Sequence, residues 1–192
     1  MHRVDHADPL VRAIVVTGAP AAGKSVLGAA LARRLRAALL DLDTVTQPLV
    51  DVIAGLSGTD DLDSARLADL TRDARYRAVL DTAAEILSVG TPVVLVAPFT
   101  EERRSPARWD ALSGRLAAAG GQPRLVWVRL PAEEILRRMR ERGAARDRHK
   151  LDDPGRFLDG LALGSPAVPH LAVDGMLPVA SQVEAALEAT PG

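Results

Sequence analysis

The 192-residue chain contains no cysteine, which excludes disulfides and thiolate zinc sites. Its four histidines, His2, His6, His149 and His170, show no ligand spacing, so a protein-built metal cage is not expected. Aromatic residues are scarce: two Trp, two Phe and one Tyr leave little on which nucleobases could stack. An excess of one charge is lacking too. The 24 Lys and Arg stand against 25 Asp and Glu, interspersed, for a formal net charge of −1, without the basic field that nucleic-acid binding requires. Nucleic acid is therefore not an expected partner. No apolar run approaches the 18 or so residues of a membrane span. Met1 to Pro9 carries charges where a signal peptide would have its apolar region. The expectation is a soluble, cytoplasmic protein with no membrane partner, monomeric or homodimeric. Its apolar fraction of 47% suffices for the core of a single domain spanning 1–192.

What is present begins with Gly18-Ala19-Pro20-Ala21-Ala22-Gly23-Lys24-Ser25, after the apolar run Ile14-Val15-Val16-Thr17 and before an alanine-rich helical pattern. It fits G-x-x-x-x-G-K-[ST] without a mismatch. The spacing lets the chain leave a buried strand, wrap backbone N–H groups around a polyphosphate, and enter a helix whose N-terminus faces the anion. Lys24 can then reach the β- and γ-phosphates, and the Ser25 hydroxyl can take a place on Mg²⁺. The nucleotide-binding set expected here is Gly18 to Ser25 with the following Val26. The cofactors expected are ATP and Mg²⁺.

Along the chain, apolar runs alternate with helical patterns. Leu27, Leu31 and Leu35 recur at helical spacing, and Ala38 to Asp43 is a short strand ending in acids, with the next helix from Thr44. A helix is expected from about Leu62 to Val89, a strand at Val93 to Ala97 closed by Pro98, a helix from Ser105 to Ala119, and a strand at Leu125 to Leu130. The helix after Pro131 carries Ile135, Leu136 and Met139 inward. Arg146 to Lys150 is a charged stretch without periodicity, a short helix follows Pro154, the last strand is His170 to Asp174, and the last helix Val179 to Leu187. The alternation predicts βαβ units and a parallel sheet of about five strands covered on both faces. Right-handed crossovers put Asp43 and Pro98 on the edge that holds the phosphate loop.

In this arrangement the chain resembles the P-loop small-molecule kinases: shikimate and gluconate kinases, chloramphenicol phosphotransferase and related ATP-binding proteins of the AAA-type kinase group. The resemblance covers nearly the whole chain. It implies the P-loop NTPase fold, an α/β five-stranded parallel sheet with helices on both faces and a short lid at about 143–151. Asp41-Leu42-Asp43 is similar to the D-x-D of shikimate kinases, whose second acid lies near Mg²⁺ and the acceptor hydroxyl. Arg138 and Arg142, followed by Arg146-Asp147, resemble the R-x-x-x-R and R-D of the lid region. Asp174 matches a family position near the nucleotide base. One departure is plain: the third strand ends Ala97-Pro98-Phe99, where related kinases often place Asp or Asn.

Each candidate has a second reading. Asp43 is the candidate general base, or it orients the acceptor hydroxyl or holds a Mg²⁺-bound water; alternatively it caps a helix. Arg138 and Arg142 share a helical face and could neutralise phosphate charge opposite Lys24. They could equally form surface ion pairs, Glu134 lying four residues before Arg138. Arg72 and Arg75 could bind an anionic substrate or face solvent, and Thr100-Glu101-Glu102-Arg103-Arg104, after a strand end, could contact substrate or cap the next helix. The expected function is ATP-dependent phosphorylation of a hydroxyl on a small molecule, through Lys24, Asp43 and Arg142. A nucleoside monophosphate kinase and a non-catalytic ATP-binding module are the alternatives.

Overall fold

A strand buried on both faces needs apolar residues at every position, each alternate one serving the opposite side of the sheet. The strand β1 (Val11–Gly18) is built this way from Ala13 to Val16. In the computed structural model, which describes residues 11–56, 65–144, 147–161 and 163–188, Ala13 and Val15 belong to one core while Ile14 and Val16 belong to another. The strands β2 (Ala38–Asp41), β3 (Val93–Val96), β4 (Gly121–Arg129) and β5 (Leu171–Asp174) join it in a five-stranded parallel sheet of order β2-β3-β1-β4-β5. The α/β architecture expected from the sequence is thus the one found.

Helices cover both faces. On one side α3 (Ala65–Ser88) and α4 (Pro106–Ala118) pack Val79, Ala83, Leu87, Trp109, Leu112 and Leu116 on the sheet. On the other, α1 (Lys24–Leu35), α5 (Ala132–Arg142) and α8 (Val179–Glu188) contribute Leu27, Leu31, Ile135, Met139 and Ala186. Leu27 and Leu31 are fully buried, each worth about 1.5–3 kcal/mol in apolar burial. Gly28 lets this helix approach closely, since a Cβ there would stand 2.4 Å from Val96 Cγ2. The N-terminus of α1 is thereby held at the carboxyl edge of the strands, where ligands of open parallel sheets bind.

Three boundaries differ from expectation. The helix α2 (Leu42–Leu56) starts directly after β2, not at Thr44, because the Asp41 carboxylate accepts the Asp43 N–H at 3.1 Å and replaces a loop. That hydrogen bond also assigns the capping role to Asp41, with Asp43 inside the first turn. The strand β4 begins at Gly121, four residues before Leu125, because β1 offers partners over its whole length from Val11↔Gly121 to Gly18↔Val128. The charged stretch before residue 151 carries a short helix, α6 (Arg148–Asp152), ahead of the expected one, α7 (Pro154–Gly160). The long helix is described from Ala65, so its expected start at Leu62 lies outside the described residues.

Candidate active site

The phosphate-loop motif occupies the turn between β1 and α1. Its backbone enters the left-handed region at Ala21 (φ 58°) and Gly23 (φ 98°). Gly23 is the residue before α1, where its conformation carries little steric cost, and its carbonyl accepts the Leu27 N–H at 3.0 Å. Lys24 opens the helix and donates from Nζ to Ala19 O at 2.8 Å, across its own loop. Loss of water brings the Lys24 ammonium down from 10.5 to about 8. Asp43 and Asp41 oppose that shift, and the positive charges of Arg142 and Arg103 add to it.

The D-x-D pair divides its work. Ser25 Oγ donates to Asp41 Oδ2 at 2.7 Å, while Asp41 Oδ1 takes the Asp43 amide. Asp41 therefore joins the start of α1 to the start of α2. Asp43 turns elsewhere: its Oδ1 accepts from Arg75 Nη2 at 2.7 Å, and Arg75 Nε donates to Thr46 Oγ1 at 2.7 Å. Thr46 is buried and itself donates to Leu42 O at 2.5 Å. Arg75, offered by the sequence as a substrate-binding residue, is thus a brace for the Asp43 carboxylate.

The helix α5 delivers the arginines. Arg138 Nε donates to Glu134 Oε1 at 2.7 Å, and its Nη2 donates to Gly175 O at 2.9 Å. A Cβ placed on Gly23 would lie 3.8 Å from Arg138 Nη1, so this guanidinium hangs over the phosphate loop. Hydrogen bonds from Arg137 and then Arg138 hold the Glu134 carboxyl down to about 2. Arg142 donates from Nε and Nη2 to Asp147 Oδ2 at 3.0 and 2.5 Å, and Asp147 is 1% exposed. Asp147 aims the arginine, a role the R-D resemblance had not assigned. Arg146 lies outside the described residues.

These groups share one cavity of about 450 Å³. Its lining includes Gly23, Lys24, Ser25, Val26, Asp41, Asp43, Pro98, Arg138, Arg142, Asp147 and Lys150. Cations and carboxylates face each other across it, with a helix N-terminus at its base. Such a set suits a polyphosphate with a hard divalent cation. Among the described residues no group of three or more His, Cys, Asp or Glu could hold a metal ion by itself. The oxygen donors present, Ser25, Asp41 and Asp43, are of the kind Mg²⁺ takes together with substrate phosphates.

The remaining candidates sit apart from this cavity. Arg72 lies 4.8 Å over the Tyr76 ring and 3.3 Å from Glu101 Oε1. Burial and the charge of Glu102 push the Tyr76 phenol up to about 12. Asp174, at the end of β5, accepts the Met176 N–H at 2.9 Å and Arg129 Nη2 at 3.1 Å; these bonds, the amide first, lower its carboxyl. Thr100 lines a second, smaller cavity of about 170 Å³ behind the loop, with Lys24, Pro98 and Arg103. At the end of β3, Phe99 holds φ 42° and donates its N–H to Tyr76 Oη at 3.1 Å, while Thr17 Oγ1 donates to Pro98 O at 2.6 Å. A buried non-glycine residue at positive φ is strained, and strain of this kind collects at functional sites. Arg103, within the run Thr100 to Arg104 that the sequence offers for substrate contact or a helix cap, is 5% exposed.

Residues 14–156 match the family model described as AAA domain. No curated protein matches the chain. Among solved structures, the chain is 26% identical to a candidate kinase of Chloroflexus aurantiacus, at a TM-score of 0.63 with 91% of this chain and 93% of that one covered. A gluconokinase of Sinorhizobium meliloti is 25% identical at a TM-score of 0.59, with 93% and 91% covered. The APS kinase of Mycobacterium tuberculosis, solved with AMPPNP and APS, shares the fold at 19% identity and a TM-score of 0.60, with 94% and 97% covered.

Proposed function

The chain belongs to the AAA domain family, its match covering residues 14–156, and from that premise we propose that it is an ATP-dependent phosphotransferase acting on a hydroxyl of a small metabolite or natural product. The observation that carries the proposal is a single cavity at the carboxyl edge of the parallel sheet where Lys24, Ser25, Asp43, Arg138 and Arg142 converge. The kinase-fold neighbours agree with it.

In this reading the loop amides and the N-terminus of α1 receive the β- and γ-phosphates, and Lys24 exchanges its bond to Ala19 O for a phosphate oxygen. Mg²⁺, when bound, neutralises charge between those phosphates and fixes their orientation. Ser25 and Asp41 are the residues that would hold it, since their oxygens are already paired at 2.7 Å. This moves the nearer carboxylate of the cation site from Asp43 to Asp41 and leaves Asp43 to the acceptor. Asp43, steadied by Arg75, orients the attacking hydroxyl and takes its proton. Arg138 and Arg142 face Lys24 and stabilise charge on the phosphoryl group in transit. Phosphoryl transfer asks little covalent chemistry of the protein, so positioning of this kind is most of the catalysis.

Arg75 is the residue that the sequence offers to the nucleoside monophosphate kinase alternative, for holding an acceptor phosphate. Its bonds to Asp43 and Thr46 leave that alternative without a specific observation. The chain is proposed as one domain over 1–192 with a lid at about 143–151, working in the cytoplasm as a monomer or homodimer. Among the described residues no helix is long and apolar enough to cross a membrane. The test is ADP release from ATP and Mg²⁺ across sugars, polyols, nucleosides and antibiotics. Release that depends on a particular hydroxyl compound supports the proposal, and nucleotide binding without acceptor-dependent release overturns it.

A further inference from the structure

The smaller cavity, about 170 Å³, lies behind the phosphate loop. Pro20 and Lys24 line it from the loop, Pro98 and Thr100 from beyond β3, Leu161 from beyond α7, and Arg103 completes the wall. Arg103 is 95% buried by its 5% exposure. Its guanidinium makes no hydrogen bond or ion pair among the described residues, and Nη1 is a buried donor without a partner. The residue cannot easily swing out. Its N–H donates to Phe99 O at 3.0 Å and its carbonyl accepts the Ala167 N–H at 2.8 Å, so neighbours on both sides pin its backbone.

An unpaired guanidinium out of water is a costly arrangement. Here it stands near a second cation, for Arg103 is among the charges that lower the Lys24 ammonium. Two cations bordering one small cavity repel until an anion lies between them. The cavity is below the roughly 300–1,000 Å³ of sites for drug-sized ligands. It is too small for a nucleotide and large enough for an oxyanion with a few carbons. The arginine fork matches the paired oxygens of carboxylate or phosphate.

We propose that the phosphate acceptor carries an anionic oxygen group, a carboxylate or a phosphate, and that Arg103 binds it in this cavity beside Lys24. The proposal deepens the phosphotransferase reading and rests on it. It places the acceptor's charged end behind the loop, at the Pro98–Thr100 turn, with its reacting hydroxyl toward the larger cavity where Lys24, common to both linings, meets Asp43. Neutral sugars and polyols would then be poor acceptors.

The test fills the γ-phosphate position first, so that nucleotide and acceptor sites are read separately. Protein saturated with Mg²⁺ and AMPPNP is titrated with inorganic sulfate by calorimetry, for wild type, Arg103→Met and Arg103→Lys. The expected result is a sulfate site in wild type, weakened at least 10-fold in Arg103→Met and only a few-fold in Arg103→Lys, with AMPPNP affinity within about 3-fold throughout. Ligand-free Arg103→Met should melt no lower than wild type, because it removes a buried charge that lacks a partner. Sulfate binding that ignores Arg103, or is absent from the loaded wild type, overturns the proposal. So does a parallel loss of AMPPNP affinity, which would assign Arg103 to the nucleotide. Failure of AMPPNP to bind any variant would instead sink the phosphotransferase reading beneath it. Should Arg103→Met fail to fold, Arg103→Gln replaces it, with the same outcomes deciding.

Discussion

Raising the pH from 7 to 9 should weaken nucleotide binding through Lys24. Burial brings its ammonium down to about 8, so in the ligand-free protein about nine-tenths of the molecules carry the charge at pH 7 and about one-tenth at pH 9. A polyphosphate beside Nζ restores the proton by opposite charge and hydrogen bonding. Binding at pH 9 must therefore take up close to one proton, and Lys24 alone should lower the affinity about 10-fold over this range, roughly 1.4 kcal/mol. Calorimetric titration of AMPPNP with Mg²⁺ at pH 9, in two buffers of different ionisation enthalpy, reads that proton directly. Lys24→Met should lose the uptake. The stability of the free protein should move the opposite way. The folded pKa lies below the unfolded one, so between about pH 8 and 10.5 the unfolded chain holds more protons and the Lys24 contribution to stability rises with pH. No proton uptake at pH 9 in wild type, or uptake that survives in Lys24→Met, would refute the placing of Lys24 against the phosphates.

Asp43→Asn should leave ATP affinity nearly unchanged and cut the transfer rate about 10²-fold or more, because the amide keeps the shape but cannot take a proton; steady-state kinetics with a nucleotide titration separates the two. Asp41→Ala should do the reverse, raising the Mg²⁺ concentration needed for half-maximal activity. It removes acceptors for Ser25 Oγ and the Asp43 N–H, at a cost of about 0.5–2 kcal/mol in a chemical denaturation curve.

Much of the sheet was legible because its strands are unbroken apolar runs bounded by glycine and proline, and the phosphate loop because its spacing is dictated by backbone chemistry. The start of β4 was not: Gly120 and Gly121 read locally as a helix stop, and only pairing along the full length of β1 extends the strand back to Gly121. Asp41 and Asp43 could be named as a pair but not told apart, since what separates them is contact with Ser25 in one case and with Arg75, 32 positions away, in the other. Arg72 and Arg75 were singled out for charge that the fold commits to Glu101 and Asp43. Arg103 stood only as one residue of the charged run Thr100 to Arg104; its burial, with the Ala167 N–H donating to its carbonyl, comes from contacts distant in sequence. Charge can be counted in a sequence; whether a charge has a partner cannot.

The most direct measurement of the central claim is ³¹P NMR of a reaction containing the protein, ATP, Mg²⁺ and the acceptor that stimulates ADP release. A phosphate-monoester resonance should appear and grow in step with ADP, and Lys24→Ala protein that retains its fold should produce neither. Inorganic phosphate as the sole product, or a monoester formed equally well by Lys24→Ala, would contradict the assignment of this cavity to phosphoryl transfer.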